Sequence, residues 1–383
     1  MTITELQTNE SVRQREFPVS RERIFLAHAG VAPLPRRVAE AVGNYATQCT
    51  LGDQEAVLPA NTLHQARELA ASFLGAQSEE IAFVGPTSLA LSFVAEGLST
   101  HPGDNIVCYA DDYPSNVYPW AALAARGVEV RRITVRELGR ITPEDVLANV
   151  DKRTRLVALA SCHFISGWRI DYEAIGASLR EREILFCLDA IQTVGAFPTL
   201  AKHVDFLAAD AHKWMLGPCA AGILYVRKPI QPLLRPVVHG WNNVRCPNFV
   251  AQETIEFRPD ARRYEAGTHN LLGLVGLVAA LELLREIGPD AIAADLLRKR
   301  ARLIPSLQEK GYTVVGSDAP LNRSSGIVSF FDPKNDAAPL HAKLLAANVV
   351  TSLRSDRTKR NHIRLSPHFY NTEAEFDALL ALL

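Results

Sequence analysis

The chain has 383 residues, 48% of them hydrophobic and 22% charged, with a formal net charge of −1. This places it in the ordinary globular class and argues against nucleic acid or an anionic membrane surface as a partner. Six scattered cysteines (Cys49, Cys108, Cys162, Cys187, Cys219, Cys246) form no C-x-x-C pair, which argues against a zinc ribbon or a disulfide scaffold and suits a reducing compartment.

The opening stretch MTITELQTNESVRQREF is polar and lacks the apolar core of a signal peptide, so a cytoplasmic protein with a loose N-terminal arm over 1–22 is expected. Ile24–Gly30 then suggests a short strand, and Pro33 and Pro35 precede the helical stretch RRVAEAVGNYATQ. Leu63–Leu74 has helical periodicity with Gly75 as its stop. EIAFVG is a strand pattern, followed by Pro86-Thr87-Ser88 and a helical pattern, LALSFVAEGL. A hydroxyl-bearing turn at a helix start can hold an anion through free N–H groups and the helix dipole. The plainer alternative is that Thr87 or Ser88 merely caps the helix. The same strand–helix alternation continues to Glu183, with Asp111, Asp112 and Tyr113 at the end of NIVCYA and His163 after RLVALASC. Alternation of this kind predicts an α/β fold with a mostly parallel, doubly wound sheet. Neither G-x-G-x-x-G nor a P-loop motif occurs, which argues against dinucleotide and P-loop folds.

The central stretch is Ile184–Arg227, ILFCLDAIQTVGAFPTLAKHVDFLAADAHKWMLGPCAAGILYVR. Two apolar runs end in polar clusters, one at Asp189 and Gln192, the other at Asp210, His212 and Lys213. Ligands of open α/β sheets collect at the carboxyl ends of strands. A buried carboxylate and a lysine meeting there suit pyridoxal phosphate, with the lysine as Schiff-base partner and the acid on the ring nitrogen. The alternative is a solvated Asp and a surface Lys. Beyond Arg227 the chain turns rich in Pro, Asn and Arg up to Asn270, an irregular connection. Long helical patterns over Leu271–Ile287 and Ala291–Glu309 lead into a smaller α+β part. The most apolar of these helical runs, LLGLVGLVAALELL, is shorter than the ~20 residues a membrane span needs. Domains are therefore expected over 23–270 (cofactor-binding) and 271–383 (small, including a connecting helix), after the arm.

The pyridoxal phosphate reading demands further parts, and the chain offers them: Thr87 and Ser88 for phosphate, Tyr113 to stack on the ring, Gln192 near its phenolic oxygen, and Arg364 or Arg354 for a substrate carboxylate. With LDAIQTVGAFP, ADAHKWMLGP, RRYEAGTHN and IRLSPHFYNTEAE in this order, the chain resembles the class V aminotransferase superfamily. The resemblance covers nearly everything after the arm and points to the branch shared by cysteine desulfurases, selenocysteine lyases, isopenicillin N epimerase-like proteins and kynureninase. It implies a fold type I pyridoxal phosphate enzyme acting on an amino acid. It also implies Lys213 as Schiff-base lysine and α-proton shuttle, Asp189 on the pyridinium nitrogen and Gln192 on the ring hydroxyl oxygen. Thr87, Ser88 and His212 would hold phosphate, Arg364 the substrate carboxylate, and Ala29-Gly30 would line the substrate. Gly267-Thr268 matches a pair that reaches the phosphate of a neighbouring subunit, which implies a homodimer.

The chain departs from the family pattern in several places. Asp210 stands where a serine is usual, and it is expected to point away from phosphate or to orient His212. Tyr113 replaces a stacking histidine. His163 lies near the ring position of an Asn or Gln; it is either a satisfied structural histidine or a second base. The loop VVTSLRSDRTKRNHIRLS lacks the cysteine that takes up sulfur as a persulfide in desulfurases. It carries Arg354, Arg357, Lys359 and Arg360 instead, either a solvated basic face or a site for a second acidic group. Transamination is the expected reaction, with a C–S or C–Se β-lyase lacking a persulfide step, or an epimerase using His163, as alternatives. A non-catalytic cofactor-binding protein is the remote alternative.

Overall fold

Alternate residues of five neighbouring strands face two separate apolar layers, and this decides the architecture. Val107, Val157, Leu159, Phe186, Leu188 and Leu207 pack into one core, while Ile106, Leu156, Cys187, Phe206 and Leu224 pack into another on the opposite face. A sheet buried on both faces requires helices on both, the doubly wound arrangement. The computed structural model describes residues 1–383. Its seven-stranded sheet runs in the order Ile81–Phe83, Ile223–Val226, Phe206–Ala209, Leu185–Asp189, Thr154–Ala160, Asn105–Tyr109, Glu129–Ile133. All neighbours are parallel except those of Ile223–Val226, which is antiparallel to both of its own. The expected mostly parallel α/β fold is present.

Helix boundaries follow local chemistry. The helix Thr62–Leu74 stops at Gly75, which takes the left-handed φ of 60° that favours glycine. A second sheet of four antiparallel strands orders Ser352–Ser355, Asn361–Leu365, Val328–Phe331 and Thr313–Val314. The strand Ile24–Phe25 does not join the large sheet: it pairs in parallel with Val349–Val350, and Ala27 bridges to Ser366. The start of the chain therefore returns to its end, and Ala29 and Gly30 are delivered between the two sheets.

The N-terminal arm differs from expectation. It is not loose but forms helices Ile3–Thr8 and Glu10–Glu16, the first with a capping box at Thr2. Leu6 is fully buried, and Phe17 stacks on Tyr370 with ring centroids 4.0 Å apart. Arg13 is buried and meets Glu375 at 2.7 Å. Mean polarity misled because the few apolar residues all fall on the docked side, against residues almost a chain length away. No helix is long and apolar enough to cross a membrane.

Candidate active site

The carboxyl ends of Leu185–Asp189 and Phe206–Ala209 open into a cavity of about 260 Å3. Ala29, Gly30, Thr87, Ser88, Tyr113, Asp189, Gln192, His212, Lys213, Arg354 and Arg364 all line it. Asp189, at the last position of its strand, accepts one hydrogen bond, from the Ile191 N–H at 3.1 Å. Burial raises its carboxyl pKa, and Lys213 opposes the shift. Lys213 is 7% exposed, and its pKa is lowered to about 8, first by burial and then by Arg364 and Arg354, against the pull of Asp189. Its Nζ lies 5.3 Å from the centre of the Tyr113 ring, which meets Phe164 edge to face.

At the opposite end, helix Thr87–Gly97 begins after Pro86 with no side-chain cap. The hydroxyls of Thr87 and Ser88 are therefore not consumed in capping. Thr87 Oγ1 accepts from the Asp210 N–H at 3.0 Å. The Asp210 carboxylate faces away from the helix start, taking the N–H groups of Ala211 and Ala220 and meeting His212 Nδ1 at 2.8 Å. With Nδ1 so occupied, His212 presents Nε2 to the cavity it lines. A carboxylate beside an anion site is thus tolerated because its oxygens are spent elsewhere.

Another wall of the cavity is cationic. Arg364 is 1% exposed, donates to the Phe164 carbonyl at 2.8 Å and the Ser352 hydroxyl at 3.3 Å, and meets no carboxylate. Its Nε and that of Arg354 are buried without partners. Burial, then Arg354, pushes the Arg364 pKa down to about 9. Both guanidinium groups converge on Gly30: a Cβ there would lie 3.7 Å from Nη2 of each. A buried guanidinium beside a half-buried one, neither with a counter-ion, is costly unless an anion is brought between them. The rest of the basic loop has other uses. Arg357 pairs with Asp111 and donates to the Ala110 carbonyl, and Arg360 lies over the Phe331 ring.

Besides Asp210, two expected residues stand apart from this cavity. His163 is buried, accepts from the Ser166 N–H at Nδ1 and donates from Nε2 to the Asp111 carbonyl. Burial lowers its pKa to about 4. Both ring nitrogens are thus occupied in supporting the wall, and the geometry offers no second base there. Thr268 lines a different surface cavity, with Gly267, Phe83 and Ala220. Five lining residues were not singled out as site residues in the sequence: Val31, Pro86, Ser115, Phe164 and Ile191. Phe164 had one signal, its place next to His163 at a strand end.

The residues fit pyridoxal phosphate at each of its polar edges. A buried acid with a spare acceptor would suit the ring nitrogen, hydroxyls not used in capping sit at a helix start, and the lysine ammonium has no protein acceptor. Fold and site together define a fold type I pyridoxal phosphate enzyme. The aminotransferase class-V profile matches residues 24–379, and the chain belongs to that family. It is 30% identical to a probable cysteine desulfurase of Methanothermobacter thermautotrophicus, over 97% of this chain and 96% of the relative. It is 28% identical to an uncharacterized aminotransferase of Bacillus subtilis, over 94% and 93%. Among solved structures, a cysteine desulfurase of Thermococcus onnurineus superposes with a TM-score of 0.89 at 25% identity, covering 98% of this chain and 96% of that one.

Proposed function

We propose that this enzyme is a β-lyase that cleaves a carbon–sulfur or carbon–selenium bond of an amino acid without passing the sulfur to a protein cysteine. One observation carries the reading. The hairpin formed by Ser352–Ser355 and Asn361–Leu365 brings Arg354 and Arg364 to the cavity, and no cysteine lines it. Desulfurase relatives at 30% and 25% identity favour bond cleavage over the amino-group transfer expected from the sequence.

When bound, pyridoxal phosphate supplies an electron sink for the pair released at the substrate α-carbon. The chain supplies the rest. Thr87, Ser88 and His212 would hold the phosphate, Asp189 the ring nitrogen and Gln192 the phenolic oxygen, and Tyr113 would cover the ring. Arg364 grips the substrate carboxylate and so turns the α-hydrogen toward Lys213. With its pKa lowered to about 8, Lys213 suits proton removal near neutral pH, and the proton it gains is available to the departing sulfur. For cysteine the balance is cysteine plus water giving pyruvate, ammonia and sulfide. A second copy of the chain would contribute Thr268 to the phosphate, in keeping with its place outside its own chain's cavity.

Product analysis tests this. With cysteine and no 2-oxo acid present, pyruvate and sulfide are expected in equal amounts. Alanine in place of pyruvate would mean sulfur transfer, and turnover only with an added 2-oxo acid would mean transamination.

A further inference from the structure

Gln192 differs from the other cavity residues in that its role depends on which way its amide is turned, since one end donates and the other accepts. In this fold a neighbour outside the cavity makes the choice. The Trp214 indole N–H lies 2.8 Å from Gln192 Oε1, and an indole can only donate. The amide oxygen is thereby held toward the indole. One amide N–H goes to the Ala29 carbonyl at 3.2 Å, and the other has no protein acceptor. A bonded oxygen also polarises the amide and strengthens its N–H as a donor.

Trp214 has little room to move. It is 1% exposed, and its carbonyl pairs with His368 Nε2 at 3.0 Å. Gly195, at φ +90°, lets the turn after Gln192 lie directly on the Trp214 backbone, where a Cβ would come within 2.6 Å of its carbonyl. At the far edge of the indole, a Cβ on Gly326 would sit 3.3 Å away. The indole is wedged, and its one polar atom is aimed at Gln192.

We infer that Trp214 is a positioning residue that turns the Gln192 amide so that nitrogen, not oxygen, faces the phenolic oxygen of the cofactor ring. The inference rests on the reading of Gln192 as the partner of that oxygen. A donor at this place favours the ionised oxygen, and a carbonyl oxygen there would repel it. The readout is therefore the pH at which the visible band of the Lys213-bound cofactor titrates, which is independent of turnover. A favoured ionised oxygen lowers that midpoint, and losing the donor raises it.

Trp214→Phe keeps an aromatic ring and removes the N–H, and a double-mutant cycle with Gln192→Ala isolates the contact. Gln192→Ala is expected to raise the midpoint by about one unit, and Trp214→Phe by roughly half a unit. In the Gln192→Ala background, Trp214→Phe is expected to add nothing. No shift from Trp214→Phe, or an equal shift in both backgrounds, would overturn the inference, because the effect would then be absent or one of packing. No shift from Gln192→Ala would overturn the Gln192 reading itself, a distinguishable failure that takes the inference with it. A second measurement leaves Trp214 intact. Of the four tryptophans, one indole N–H resonance should move in nitrogen-15 spectra on Gln192→Ala. All four staying in place would contradict the contact.

Discussion

Arg364→Met is expected to give a protein that is more stable and nearly inactive. The Arg364 guanidinium is fully buried with its pKa lowered from 12.5 to about 9. At about 1.4 kcal/mol per unit, holding it charged costs the fold roughly 5 kcal/mol. Because the folded value lies below the unfolded one, this cost is fully present at neutral pH and fades only as pH rises through the range between them. Met keeps most of the side-chain packing and removes the charge. It also leaves the Phe164 carbonyl and the Ser352 hydroxyl without their donor, which costs about 1–3 kcal/mol. The balance is a gain of about 2–4 kcal/mol, a rise of a few degrees in melting temperature for a chain of this size. Activity moves the other way. Losing a desolvated grip on the substrate carboxylate costs about 3 kcal/mol, or two decades in kcat/KM. Thermal unfolding at neutral pH and steady-state kinetics on the same preparation read both. A variant that melts several degrees lower would show that the guanidinium is held for the fold. One that retains kcat/KM within about threefold would show that it does not hold the substrate.

Three further outcomes follow from the same geometry. Gly30→Asp places a carboxylate on a Cβ 3.7 Å from Arg354 and Arg364, a tethered mimic of the substrate anion. Substrate KM should rise at least tenfold, and an unchanged KM would show that the anion binds elsewhere. Lys213 has its pKa lowered to about 8, and only its neutral amine can capture the cofactor. The rate at which cofactor-free enzyme takes up cofactor, followed by visible absorbance, should therefore rise with pH through a midpoint near 8, and a midpoint near 10.5 would contradict the buried site. Asp210→Asn weakens the anchor of His212 Nδ1 and should raise the cofactor dissociation constant about tenfold, measured by fluorescence quenching; unchanged affinity would leave Asp210 without a role at the phosphate.

Much of the cradle was legible because its parts are local events at strand ends. Apolar runs of strand length stop at Asp189 and at Ala209, four residues before Lys213, and a buried parallel sheet places such stops along one edge. Thr87 and Ser88 follow the same grammar, although whether they cap the helix was open until Pro86 proved to hold the cap position. What escaped depends on contacts between distant parts of the chain. Phe17 finds Tyr370, and Phe164 supplies the carbonyl that Arg364 needs. Trp214 reaches Gln192 only because Gly195 lets two turns touch. The role of His163 was undecidable from its strand-end position alone, since its answer lies in the Asp111 carbonyl at the end of the neighbouring strand. The arginine loop was legible as basic, but not as divided into Arg354 at the cavity and Arg357 clasping Asp111.

The central claim is that sulfur leaves the substrate without touching a protein thiol. Intact mass measurement of the enzyme quenched during turnover with cysteine tests it most directly. The account predicts an unmodified polypeptide mass while pyruvate and sulfide accumulate. A population heavier by one sulfur atom, located on any of the six cysteines, would contradict it.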